Sequence, residues 1–136
     1  MVRSLSSALR QRVHTRAGGK CEYCLVHEDV SIFTHEVDHI IALRHGGQAV
    51  LANLAFACLP CNRNKGADLT AIDPLTRTVV SLFNPRQQIW ATHFMLNAAR
   101  IIGLTPIGRA TVALLKINAP TRLGHRRTLL LQGRYP

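Results

Sequence analysis

Apolar positions recur at helical spacing near the start of the chain, where Val2, Leu5, Leu9 and Val13 are interleaved with Arg3, Arg10, Arg12 and Arg16. That period predicts a helix over residues 3–17 with a basic outer face, and Ala17-Gly18-Gly19 stops it. Val30 to Ile41 is rich in β-branched and apolar residues and predicts a strand ending near Asp38-His39. Arg44-His45-Gly46-Gly47-Gln48 reads as a loop whose two glycines are free to take positive φ. Leu51 to Ala57 is a short return segment, and a helix is expected from near Cys61 toward Leu69.

Asp73-Pro74 is a turn, Arg77 to Phe83 a strand, and Asn84-Pro85 its end. Gln87 to Ala99 predicts a helix carrying Trp90, Phe94 and Met95. Thr105-Pro106 is an N-cap followed by proline at the first helical position, opening a helix to about Ile117. Asn118-Ala119-Pro120 starts a last helix, which Gly133 ends. No repeat or low-complexity linker interrupts this order, and the mixture of elements is that of an α+β fold. A chain of 136 residues is expected to form a single domain spanning 1–136.

A hydrophobic fraction of 47% argues against disorder. No apolar run approaches the roughly 20 residues of a membrane span, and Met1 to Arg16 has no apolar leader region. The expected compartment is therefore the cytoplasm, where thiols stay reduced.

The net charge of +10 is unevenly placed: residues 1–20 carry +5, residues 21–66 carry −2, and residues 67–136 carry +7. Basic flanks around a mildly acidic centre suit a polyanion held at its phosphates over a cation-binding site. A basic protein with no such partner is the plainer alternative. Anionic lipid is disfavoured, since no strongly amphipathic basic helix stands out.

The four cysteines form two Cys-x-x-Cys pairs, Cys21/Cys24 and Cys58/Cys61, with 33 residues between them. Four thiolates so spaced suit tetrahedral structural zinc, closed to further ligands; a redox dithiol, buried free cysteines and an iron–sulfur cluster are the alternatives. Between the pairs lies Asp38-His39, a hard-cation ligand beside a general base. Alternation along a strand points these two side chains to opposite faces, so serving one site needs the strand to end there.

Cys21-x-x-Cys24, Glu36-Val37-Asp38-His39-Ile40-Ile41, Gly46-Gly47, Asn53-Leu54 and Cys58-x-x-Cys61-Asn62-x-x-Lys65-Gly66 together resemble the HNH endonuclease family, in its four-cysteine zinc-bearing branch. The stretch from Leu82 through Trp90-x-x-His93-Phe94 to Val112 is similar to the C-terminal half of bacterial members. The resemblance implies a ββα-metal core over residues 21–70, flanked by the basic N-terminal helix and by a C-terminal strand and helices over 71–136. It implies DNA as partner, and cleavage of its phosphodiester bonds to 5′-phosphate and 3′-hydroxyl ends. His39 resembles the general base that deprotonates water, and Asp38 and Asn62 resemble the ligands of a catalytic divalent ion, magnesium or manganese. Asn53 matches the asparagine that fixes the loop by hydrogen bonds, and Glu36 a supporting residue.

An imidazole base must be neutral, so the implied activity falls as pH drops through the usual histidine range. Arg63 and Lys65 are expected to contact phosphate, or else to be solvated helix charges. Arg100, Arg109, Arg122, Arg126 and Arg127 suggest a DNA-facing rim or an exposed helix face. His93 is expected to pack beside aromatics, and Tyr23 and Phe56 against the zinc knuckles. The alternatives to a nuclease are a zinc ribbon that binds nucleic acid without cutting it and a zinc-dependent interaction protein with an acidic partner.

Overall fold

A computed structural model describes residues 5–136, so Val2 and Arg3 lie outside the described residues. Helix α1 (Ser7–Arg16) starts where Ser6 Oγ accepts the Leu9 N–H at 3.1 Å. It ends at Ala17, after which Gly18 and Gly19 both take positive φ. A side chain at Gly19 would meet the His27 ring at 2.6 Å, so only glycine lets the chain turn there into Cys21.

Strands β1 (Glu36–His39) and β2 (Leu54–Ala57) pair antiparallel, with Asp38 opposite Ala55 and His39 opposite Leu54. The connection between them is closed by Asn53, whose amide accepts from Ile41 N–H and donates to the carbonyls of Ile41 and Gln48, each at 2.9 Å. Helix α2 (Leu59–Lys65) follows β2 directly, with Pro60 in its first turn. It begins two residues before the predicted Cys61 and stops at Gly66, short of Leu69. This strand pair and helix form the predicted ββα unit of an α+β chain.

The second half departs further from expectation. The strand predicted over 77–83 shrinks to β4 (Val79–Ser81), and it pairs with an unpredicted β3 (Thr70–Ile72) across the Asp73-Pro74 turn. The helix predicted over 87–99 is reduced to α3 (Trp90–His93), and β5 (Phe94–Asn97) replaces the rest. Phe94 is buried, Met95 exposed, Leu96 half-buried and Asn97 exposed, a period of two that outweighs the helical spacing of Trp90 and Phe94. Strand β6 (Arg100–Gly103) completes that hairpin. Helix α4 (Pro106–Leu114) is capped by Thr105, as predicted, and ends three residues early. Helix α5 (Pro120–Leu131) closes the chain before Gly133.

The β1–β2 hairpin is covered on both faces. Val13, Leu54 and Phe56, with Leu9 and Val37, join it to α1. The larger core holds all four cysteines with Tyr23, Phe83, Phe94, Ile101, Leu115, Ile117, Leu129 and Tyr135. Tyr23 therefore packs beside the knuckles as predicted, whereas Phe56 does not. Its ring lies against His14 and His35, with centroids 5.2 and 5.3 Å away, because its position on β2 faces α1. Among the described residues no helix is long and apolar enough to cross a membrane.

Candidate functional site

The two Cys-x-x-Cys pairs converge. The Sγ atoms of Cys21, Cys24, Cys58 and Cys61 all lie within 4.8 Å of one another and all four residues are buried. The first knuckle is shaped by Leu25 N–H donating to Cys21 O and Cys21 N–H to Val26 O, both at 2.9 Å, with Leu25 at positive φ. The second is the start of α2. The Cys24 and Cys58 sulfurs are 3.6 Å apart; tetrahedral zinc with sulfur at about 2.3 Å sets its thiolates roughly 3.8 Å apart. Burial pushes the Cys21 and Cys61 thiols up, the direction that keeps an isolated buried thiol protonated. A divalent cation reverses that preference. The donor set and its closure fit structural zinc, held by the four cysteines.

Asp38, opposite Ala55, is on the hairpin face that meets the cysteine core, and it is 3% exposed. Both of its oxygens are engaged: Tyr23 OH donates to Oδ2 at 2.8 Å, and Lys65 Nζ to Oδ1 at 3.2 Å. Lys65, 2% exposed, also donates to the carbonyls of His39 and Ile40 at 3.3 and 3.1 Å. Three oxygens thus surround its ammonium. Burial pushes the Asp38 carboxyl up, while the Lys65 charge and the Tyr23 hydroxyl oppose that rise. Burial and the neighbouring carboxylate push the Tyr23 phenol up as well, keeping it a neutral donor.

This arrangement corrects the reading of Lys65, which is turned inward as the counter-ion of Asp38 rather than outward to phosphate. It also bears on the divalent ion. Asp38 as placed does not fit a divalent-ion ligand, because a second cation would sit beside an ammonium already hydrogen-bonded to its carboxylate.

The remaining motif residues divide between two faces. Strand alternation puts Glu36 on the Asp38 side and His39 on the side of Val37, toward α1. His39 ends the strand, and its Nε2 is buried without a hydrogen-bond partner among the described residues. Asn62 stands three residues before Lys65, on the same face of α2 and half-buried, while Arg63 is exposed. Asn53 grips both sides of Ile41, two residues after His39.

The predicted arginine rim is largely absent. Arg109 makes a two-pronged contact with Asp73, both bonds at 2.9 Å. Arg126 is 1% exposed and donates to backbone carbonyls and Asn118. Arg122 reaches the cysteine cluster. Of the five, Arg100 and Arg127 remain exposed. His93 packs beside Phe83 as predicted, and its Nδ1 meets Thr105 Oγ1 at 2.6 Å.

Residues 21–68 match the family model for HNH endonuclease. The chain carries an HNH segment. No curated protein and no solved structure matches the chain. The HNH segment holds both knuckles, the β1–β2 hairpin and α2, with Asp38, His39, Asn53 and Asn62 all inside it. Tyr23 and Lys65 are the HNH residues whose placement against Asp38 sequence reasoning missed. Positions 15 and 27 residues from Asp38 leave no periodic signal of contact. Outside the HNH segment, Arg122 on α5 and Tyr135, whose hydroxyl donates to Cys24 O at 2.8 Å, reach back to it.

Proposed function

We propose that the HNH segment hydrolyses DNA phosphodiester bonds, with His39 taking the proton from the attacking water. The observation that carries this reading is the His39 imidazole itself. It ends β1 beside a loop pinned by Asn53, and its Nε2 is buried with no hydrogen-bond partner among the described residues, so meeting the attacking water requires the strand end to open. Phosphodiester hydrolysis needs such an uncommitted base. Asn53 supports the strand end in this reading, Glu36 is a supporting carboxylate on the Asp38 face of β1, and exposed Arg63, with the basic face of α1, meets phosphate. Lys65 already supplies positive charge against Asp38, so an ion of the magnesium or manganese class held by Asp38 and Asn62 requires Lys65 to withdraw.

The burial and double capping of Asp38 favour a second reading, a zinc module that binds nucleic acid without cutting it. A plasmid-nicking assay separates the two. Zinc-loaded protein is incubated with and without magnesium or manganese, beside His39→Ala shown to bind DNA and retain zinc like wild type. Nicking by wild type and none by the variant supports the nuclease. Plasmid binding with no cutting by either protein, across ions and substrates, supports the binding module. Equal cutting by both removes His39 as base.

A further inference from the structure

Helix α5 lies far from the knuckles in sequence, yet it places a guanidinium on their sulfurs. Arg122 Nη2 is 2.9 Å from Cys61 Sγ and 3.7 Å from Cys58 Sγ. The other terminal nitrogen, Nη1, donates to the carbonyls of Leu115 and Lys116 at 2.7 and 3.1 Å, just beyond the end of α4. The planar fork is therefore held by backbone at one prong and aimed at sulfur with the other. Four thiolates around one divalent zinc leave a net charge of about −2 in a buried site. An N–H···S bond from a cation lowers that charge and makes the sulfur a weaker electron donor.

We infer that Arg122 is a positioning residue of the zinc centre, neutralising part of its thiolate charge and coupling the docking of α5 to the presence of the metal. Arg126, one turn further along α5, is an internal comparison. It is the more deeply buried of the two, but its three donors go to Ala99 O, Ile117 O and Asn118 Oδ1, and none reaches a sulfur. Loss of either arginine weakens α5; only loss of Arg122 changes the electronics of the metal site.

The test uses the full chain with cobalt in place of zinc, followed by the thiolate-to-cobalt charge-transfer absorption. In parallel, the rate of zinc release to a chromophoric chelator is measured. Arg122→Gln is expected to move the absorption to lower energy, as the sulfur becomes more electron-rich, and to release zinc roughly tenfold faster. Arg122→Lys keeps the charge but not the fork and should fall between. Arg126→Gln should leave the absorption where wild type has it. Wild-type absorption and release in Arg122→Gln would overturn the assignment, and so would an equal shift in Arg126→Gln. Should Arg122→Gln not fold with metal, Arg122→Lys decides: a shifted band supports the assignment, and an unchanged band with unchanged release overturns it.

Discussion

Lys65 Nζ lies 3.2 Å from Asp38 Oδ1, and both side chains are withdrawn from solvent. Removing one partner of such a pair strands the other charge in the interior. Lys65→Met should therefore lower unfolding stability by about 3 kcal/mol, read from urea denaturation of the zinc-loaded protein. Adding Asp38→Asn to it should recover part of that loss, because the stranded charge is gone.

The same pair bears on divalent ions. In wild type the ammonium holds the place beside Asp38, so added magnesium should leave the melting temperature of the zinc-loaded protein unchanged. In Lys65→Met the carboxylate is left without a cation, and magnesium should raise the melting temperature by mass action. Equal magnesium responses in the two proteins would show that Lys65 does not guard the carboxylate.

Asp73 offers a pH-dependent test away from the HNH segment. The Arg109 fork holds its carboxyl well below the usual carboxylate range, helped by the Leu75 N–H and the Thr76 hydroxyl. A depressed folded-state value stabilises the protein above the unfolded pKa of about 4, and the contribution fades as pH falls toward the folded-state value. Asp73→Asn should be less stable than wild type at neutral pH, and the gap in urea midpoints should narrow steadily below about pH 4. A gap independent of pH would contradict an ionic origin.

Gly47 lies where the β1–β2 connection folds back on itself. An added Cβ would stand 1.7 Å from Ile41 O and 2.9 Å from Asn53 Nδ2. Backbone cannot swing aside as a flexible side chain does, so Gly47→Ala should cost about 2 kcal/mol. The loop amides that Asn53 secures should lose hydrogen-exchange protection in the same variant.

Trp90 is the single tryptophan, and its indole N–H donates to Tyr23 O inside the first knuckle at 2.9 Å. Chelation of zinc should red-shift its emission as that knuckle opens, together with loss of near-ultraviolet circular dichroism. Structural zinc contributes about 10–16 kcal/mol in isolated finger peptides, more than the usual net stability of a domain. Retention of both signals after verified metal removal would show that the core stands without zinc.

The HNH segment was far more legible in the sequence than the chain after it. Four cysteines, an Asp-His pair and Asn53 are chemical types at fixed spacings, and the Thr105-Pro106 cap is a local backbone signal. The β5–β6 hairpin lacked such a signal. It turns at Ala98, at positive φ, and Ala99, with none of the glycine or asparagine that usually marks a tight turn. The helical spacing of Trp90 and Phe94 is the periodic signal that this stretch carries instead. The arginines were legible as charge but not as partners, since Arg109 finds Asp73 36 residues away and Arg122 finds Cys61 at a separation of 61. Long-range pairing of this kind is settled by tertiary packing.

The β1–β2 ladder is only four residues deep, so its register rests on few backbone pairs and on what each face buries. A slip would exchange the two faces of a strand, carrying the Asp38 carboxylate to the apolar side of α1 and His39 into the space beside Lys65. Cys58 follows the last residue of β2 without a spacer, and Cys21 is joined to the same strand through the Glu22 N–H on Phe56 O at 2.8 Å. Any slip would drag Cys58 out of the sulfur tetrahedron. A metal held by the four sulfurs would therefore act as a ratchet pin on strand register, deciding which of two adjacent polar residues is shut in beside Lys65 and which faces α1.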